Sequence, residues 1–152
     1  MVDDVNLDSY KLSAKNKEHR YTRFESGLQA WGEIIGLRVA LMWLEARTKE
    51  DWENLRQNYT RLYDFLVASD KVHFVNKEAN PTMSFYIEGL DSHLLGEALS
   101  RENIMARTGY FCAHYFLDHV SKYPPLIRFS LGLHNRPEDI DKVEKVLGKI
   151  LH

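Results

Sequence analysis

Cys112 is the single cysteine of the chain and stands three residues after Gly109, in the segment Arg107-Thr-Gly-Tyr-Phe-Cys112-Ala. A thiol just past a glycine turn and near the start of a predicted helix lies among free backbone N–H groups, which favour the thiolate and so a nucleophile. The competing reading is a small buried hydrophobe, the usual role of a lone cysteine in a reducing compartment. Arg107 and Arg128 are the other candidates, because each stands on a short, otherwise apolar predicted strand where an unpaired charge is costly. A guanidinium meets a carboxylate through two parallel hydrogen bonds. Either an Asp or Glu of the chain or the carboxylate of a substrate would therefore account for them, and both readings stay open.

The histidines do not extend this set. His114 and His119 are five apart, which puts them on different faces of a helix, and with Cys112 they give no metal-binding spacing. His73, His93 and His134 stand alone and are expected on the surface or in loops. No glycine-rich phosphate loop, nucleophile-elbow serine or paired catalytic carboxylate stands out. The Trp and Tyr residues fall at helical spacing, which favours core packing over base stacking.

The chain that must position these residues has 152 residues, the usual size of one domain with a single core. Apolar residues make up 44% and charged residues 28%, too apolar for a solvated disordered chain. A net charge of −2, from 20 Lys and Arg against 22 Asp and Glu, argues against nucleic acid and against an anionic membrane surface as partners. A single cysteine makes no intramolecular disulfide, and the N-terminus shows no signal-peptide pattern, so a cytoplasmic location is expected. The longest apolar stretch, Ile34 to Leu44, is interrupted by Arg38 and falls far short of a membrane span; it reads as a buried helix.

Residues 1–24 are polar and aperiodic and predict an extended arm. From about Leu28 to Arg47, Trp31, Ile34, Ile35, Leu41 and Leu44 recur at helical spacing, with Gly32 and Gly36 permitting close approach of another backbone. A second helix is predicted from Lys49 to about Ala68, striped by Trp52, Leu55, Tyr59, Leu62 and Leu66, and is expected to pack on the first. A short strand over Val72–Val75 and a half-buried strand with Met83, Phe85 and Ile87 inward follow, separated by Asn80-Pro81. Asp91 caps a predicted helix to about Arg101 with Leu94, Leu95, Ala98 and Leu99 inward; a strand through Ile104 and Ala106 closes at Gly109. A third helix is predicted from near Tyr110 to before Pro124, then a strand with Ile127, Phe129, Leu131 and Leu133 on one face and Arg128 and Ser130 on the other. The last helix is predicted to start with Asn135 as its cap and Glu138 closing a capping box, with Ile140, Val143, Val146, Leu147 and Ile150 as its stripe. This alternation predicts an α/β fold, a small open sheet covered by helices with a preceding helical segment.

The segment from Arg107 to Ala113 resembles the Arg-x-Gly-x-x-Cys-Ala motif of class V aminotransferase-like enzymes, above all the SufS-type cysteine desulfurases. Arg128-Phe-Ser-Leu-Gly-Leu-His-Asn135 with Pro-Glu-Asp-Ile-Asp after it is similar to that family's last strand and helix. Arg23-Phe-Glu-Ser-Gly27 and Gly32-Glu-Ile-Ile-Gly36-Leu resemble its Arg-Phe-Glu-x-Gly segment and the apolar helix that follows. The resemblance runs in order over nearly the whole chain. It implies the C-terminal small domain of a fold type I pyridoxal-phosphate (PLP) enzyme over residues 25–152 with its leading helices, and a remnant of the large domain over residues 1–24. It further implies Cys112 as a persulfide-forming nucleophile, Arg128 as the clamp on the substrate carboxylate and Arg107 as a second active-site arginine. PLP would serve as the electron sink that cleaves the carbon–sulfur bond of cysteine.

Three departures accompany the resemblance. No lysine stands in the His-Lys context of the Schiff-base residue, and the Asp and His that hold the PLP ring in the family have no counterpart; the chain is expected to begin just after that lysine, with Met1 to Val5 continuing the glycine-rich stretch beyond it. Gly27-Leu28-Gln29 replaces Gly-Thr-Pro, and Tyr110-Phe111 replaces the His-His pair before the cysteine. The expectation is a dimeric, cytoplasmic enzyme portion, classed with transferases or lyases, that holds no PLP covalently. It needs a large PLP-binding domain or a homodimer mate, and its other partners are a small amino-acid substrate and a sulfur acceptor. The alternative is a non-catalytic binding or assembly module that retains the fold.

Overall fold

The computed structural model describes residues 4–6, 11–13, 28–75 and 77–151. The chain divides into two compact units, Met1–Ala46 and Arg47–His152.

In the first unit, β1 (Asp4–Asn6) and β2 (Lys11–Ser13) pair antiparallel, with Val5 opposite Leu12, inside the stretch read from sequence as an extended arm. The Arg23–Gly27 segment lies outside the described residues, as do Met1–Asp3. Helix α1 (Trp31–Glu45) forms where its periodicity predicts. Ala30 precedes it without a side-chain cap, and none of its residues is buried, contrary to the expected covered helix. Trp31, Ile34, Ile35, Leu37, Val39 and Trp43 are exposed and spread over more than half of the circumference, so its apolar surface is not confined to one narrow stripe.

The second unit holds the sheet and its covering helices. Helix α2 (Lys49–Val67) opens with a capping box: Thr48 Oγ1 accepts from the Asp51 N–H at 3.2 Å and Asp51 Oδ2 accepts from the Thr48 N–H at 2.7 Å. Its buried stripe is Leu55, Asn58, Leu62 and Leu66, while Trp52, expected in the stripe, is exposed. Asn58 is tolerated at a core position because its Nδ2 donates to the Asn135 carbonyl at 3.1 Å, tying α2 to the entry of the last helix.

Strands β3 (Val72–Phe74), β4 (Thr82–Ile87), β5 (Arg107–Gly109) and β6 (Leu126–Ser130) form one antiparallel sheet in the order β3-β4-β6-β5. In register, Phe74, Phe85, Ile127 and Thr108 form one row across it, and Ser84, Arg128 and Arg107 form a row on the opposite face. Met83, Phe85, Ile87, Ile127 and Phe129 are buried as the alternation predicts, because directly opposed residues of antiparallel strands share a face. β5 starts at Arg107, later than the strand expected through Ile104 and Ala106; Ile104 is buried but lies outside the ladder.

Helix α3 (Ser92–Arg101) is capped by Asp91, whose Oδ1 accepts from the N–H groups of His93 at 2.8 Å and Leu94 at 3.0 Å. Leu95 and Leu99 face the core; Leu94 and Ala98, expected inward, are exposed. A Cβ at Gly96 would meet Thr108 Cγ2 at 2.4 Å, so the absence of a side chain there lets α3 lie close against β5.

Helix α4 (Pro137–Leu151) buries Ile140, Val143, Leu147 and Leu151 against α2 and the sheet. Its start differs from the expected capping box. Asp139 Oδ2 accepts from the Arg136 N–H at 3.0 Å, while Asn135 turns back so that its Oδ1 accepts from the Gly132 N–H at 2.8 Å. Pro137 in the first turn suits a position whose N–H has no helical partner. Arg61 on α2 reaches Asp141 at 2.7 Å and Glu144 at 2.5 Å on α4, a surface bridge of small net value.

Candidate functional site

β6 carries Arg128 on the face turned away from the core, between buried Ile127 and Phe129, and β5 sets Arg107 directly opposite it. Like charges in direct cross-strand register repel, and a carboxylate between them would normally relieve that. Among the described residues, neither arginine takes part in an ion pair; the pairs formed there join Arg56, Arg61, Arg101, His73 and His119 to Glu53, Asp141, Glu144, Glu97, Glu88 and Asp118. The structural ion pair left open by the sequence is therefore absent from the described part of the molecule. Arg128 Nε is buried and has no hydrogen-bond partner among the described residues. A donor left so costs about 1–3 kcal/mol, a cost an arriving acceptor would remove.

Phe111 covers the guanidinium of Arg128, with Cζ 4.8 Å from the ring centroid. The loop that carries it leaves β5 at Gly109, whose φ of +98° only glycine adopts readily. Phe111 and Cys112 follow at φ 51° and 64°, both left-handed, a conformation costing about 1–2 kcal/mol for each side-chain-bearing residue. The Ala113 N–H donates to the Tyr110 carbonyl at 2.8 Å and closes this turn. The sequence offered no sign of it beyond Gly109, because neither Phe nor Cys marks a left-handed position.

Cys112 is exposed, which rejects the reading of a small buried hydrophobe. It also departs from the expected place at a helix start. The helix predicted from Tyr110 is a short π-helical segment, Tyr115–Val120, in which the Ser121 N–H donates to the Phe116 carbonyl, and Cys112 precedes it in the strained turn. Helix-terminal activation of the thiol is thus not part of this site. What the structure gives beside it in the chain is Phe111, whose ring contacts the Arg128 guanidinium on the sheet face.

The histidines take structural partners. His93 Nδ1 lies 2.9 Å from Thr108 Oγ1, His73 stacks on Tyr86 and approaches Glu88, and His114 packs on Tyr110. No group of three His, Cys, Asp or Glu residues among the described residues is arranged to hold a metal. No helix among them is long and apolar enough to cross a membrane.

PLP requires a lysine for its aldehyde, a carboxylate for its ring nitrogen and a phosphate cradle. The face around Arg128 supplies two cations and an aromatic ring and neither of the first two groups in any described contact. Lys71, whose Nζ donates to the Leu151 carbonyl, sits at the far end of α4. The described residues fit an anionic ligand and do not by themselves fit the cofactor. Two concavities of about 330 Å³ each have linings that include neither arginine: Leu62, Phe129 and Ile140 are among the residues lining one, Tyr86 and Pro125 among those lining the other.

Comparison with known proteins places this arrangement. The probable cysteine desulfurase of Pseudomonas aeruginosa is 29% identical over 131 residues, covering 84% of this chain and 32% of that protein. A probable cysteine desulfurase of Haemophilus influenzae is 28% identical over 156 residues, covering 99% of this chain and 34% of its own length. The chain thus spans about a third of the curated relatives it matches. The apo structure of a cysteine desulfurase from Thermococcus onnurineus superposes over 99% of the chain and 37% of its own, with a TM-score of 0.76 at 24% identity, which confirms the small open antiparallel sheet with its helices. At a TM-score of 0.61 and 22% identity, over 82% of this chain and 31% of its own, lies a mutant of the cystine C-S lyase C-DES with glycine covalently linked to its PLP cofactor. The family model for class-V aminotransferases matches residues 1–143, and with the fold, the ordered motifs and this match in agreement, the chain belongs to the class-V aminotransferase family.

Proposed function

We propose that the chain is the C-terminal part of a PLP-dependent class-V enzyme most like a cysteine desulfurase, converting cysteine to alanine and an enzyme-bound persulfide. In this reading residues 25–152 are the small domain with its leading helices and residues 1–24 belong with the large domain. Arg128 binds the carboxylate of the amino-acid substrate, Arg107 adds a second positive charge, and Cys112 accepts the sulfur and passes it to an acceptor. The observation that carries the reading is the buried, unpartnered Nε of Arg128 beside a second arginine that has no described ion pair. A carboxylate would satisfy both at once.

The lysine and ring-holding residues come, in this proposal, from a large domain or a dimer mate, so the chain is inactive alone. Its single exposed cysteine suits a reducing cytoplasm. The test is to incubate the purified chain with PLP and borohydride, then to assay cysteine desulfuration with and without a large domain. No stoichiometric lysine adduct is expected on the chain alone, and formation of alanine from cysteine is expected only with the large domain and only while Arg128 is intact. A stoichiometric adduct at one lysine with turnover by the chain alone would overturn the proposal. The exposed, apolar α1 favours a second reading, a non-catalytic module that keeps the fold and docks a partner. Failure of every desulfuration assay together with retained partner binding would select it.

A further inference from the structure

The ring of Phe111 lies over Arg128, its own backbone is left-handed, and the next residue is the exposed thiol. We propose that Phe111 is a positioning residue, which through its contact with the Arg128 guanidinium holds Cys112 beside a ligand carboxylate bound there. The inference rests on the assignment of Arg128 as a carboxylate clamp and deepens it.

An aromatic ring takes up one face of a guanidinium and leaves its edge N–H groups free. The edge includes Nε, which is buried and lacks a hydrogen-bond partner among the described residues, so the ring holds the fork from its face while that donor is left to be satisfied at the edge. The turn itself is held at two points. The Ala113 N–H to Tyr110 carbonyl bond closes it from the chain side, and the Phe111 ring anchors it to the sheet. Consecutive left-handed residues with side chains persist only where their surroundings hold them, and Cys112, being exposed, contributes little to that. Removing the ring would release the thiol from the cationic face while leaving Arg128 able to bind an anion. Were Phe111 only an apolar cover, any side chain of similar size would serve.

The test uses the single cysteine. Iodoacetate and iodoacetamide react with the same thiolate, whose sulfur forms a bond to carbon as the carbon–iodine bond breaks and iodide leaves, the thiol proton having passed to the buffer. Only the first reagent carries a carboxylate. The ratio of the two rates, followed by intact mass at low salt, therefore cancels changes in thiol exposure or acidity and reads the carboxylate's neighbourhood alone. The urea-unfolded chain supplies the reference ratio.

The folded chain is expected to exceed that reference by at least about threefold, the scale of one solvent-exposed charge pair. Phe111→Leu is expected to bring the ratio back towards the reference, and Phe111→Tyr, which keeps the ring, to preserve it. Phe111→Met replaces the leucine variant if circular dichroism shows the latter unfolded. An unchanged ratio in Phe111→Leu, with the ratio abolished in Arg128→Gln, overturns the role of Phe111 and leaves the clamp standing. A folded-chain ratio equal to the reference and insensitive to Arg128→Gln overturns the clamp and the positioning role together.

Discussion

Arg107 and Arg128 oppose each other across β5 and β6, two positive charges on neighbouring strands with no described carboxylate between them. Such a pair works against the ligand-free fold and in favour of an anion, since directly opposed like charges are destabilising. Arg107→Gln is therefore expected to leave the stability of the chain unchanged or to raise it by up to about 1 kcal/mol, while weakening any carboxylate binding. Urea unfolding of the two proteins checks it. A loss of more than that amount would mean Arg107 holds the fold.

Arg128 and Leu147 separate ligand binding from folding. Leu147 is fully buried among α2, α4 and the sheet, so Leu147→Ala should cost about 2–5 kcal/mol through lost burial and the cavity left behind. Arg128 lies on the opposite face of β6 from buried Ile127 and Phe129, and Arg128→Ala, which removes the unsatisfied Nε together with the packing of the stem, should cost far less than Leu147→Ala. If the two variants unfolded at the same denaturant concentration, Arg128 would be a structural residue and its assignment as a clamp would fail.

These residues show how far the sequence was legible. The stripes of α2 and α4 and the alternation of β4 were readable because each is a local period of apolar residues set by one element. Arg107 and Arg128 were readable as misplaced charges on short strands. Their register was not, since it depends on antiparallel pairing between strands of three and five residues that lie far apart in the chain. Phe111 appeared in the sequence only as a departure from the family's histidine, and the left-handed turn that gives it meaning has no residue signature. Asn58 was missed because one polar residue in an apolar stripe reads as noise until its bond to Asn135 is seen.

Gly96 makes a steric prediction. An alanine there would gain helix propensity, but its Cβ would meet Thr108 Cγ2 at 2.4 Å, and Thr108 cannot rotate away without losing its contact with His93. Gly96→Ala is expected to destabilise by about 1–3 kcal/mol as an overpacked contact. Thr108→Ser removes the offending methyl, so the double variant should recover most of the loss in thermal unfolding. Equal losses in both backgrounds would place the strain elsewhere.

The chain should lose stability on the acid side for a reason visible at its helix starts. Asp51, Asp91 and Asp139 all have carboxyls held below the ordinary value: backbone N–H donation dominates, from Thr48 to Asp51, from Leu94 and His93 to Asp91, and from Arg136 to Asp139. Glu53 is lowered to about 2 by Arg56 and Gln57. A carboxyl more acidic in the folded chain stabilises it fully above the unfolded value, near 4, and that contribution fades as pH falls through the folded value. Stability should be flat with respect to these groups down to about pH 4.5 and fall below it. Asp91→Asn keeps a capping oxygen and should flatten part of that slope; an unaltered slope would show that Asp91 does not contribute to it.

Helix α1 makes the last prediction, about association. Exposed apolar side chains cover most of it, among them Trp31 at 58% and Ile35 at 64% exposure, and no residue of it is buried. A contiguous apolar surface of that kind drives association in water. The chain is expected to bind an apolar dye and to elute at a size that grows with protein concentration, and replacing Trp31, Ile34 and Ile35 with Gln, Lys and Glu should reduce both. Such replacements leave the core around Phe85 and Leu147 untouched, so the thermal transition of the second unit should persist. If the parent chain stayed monomeric at every concentration and bound no dye, α1 would have to be covered by this chain itself, and the need for a partner inferred from it would fall.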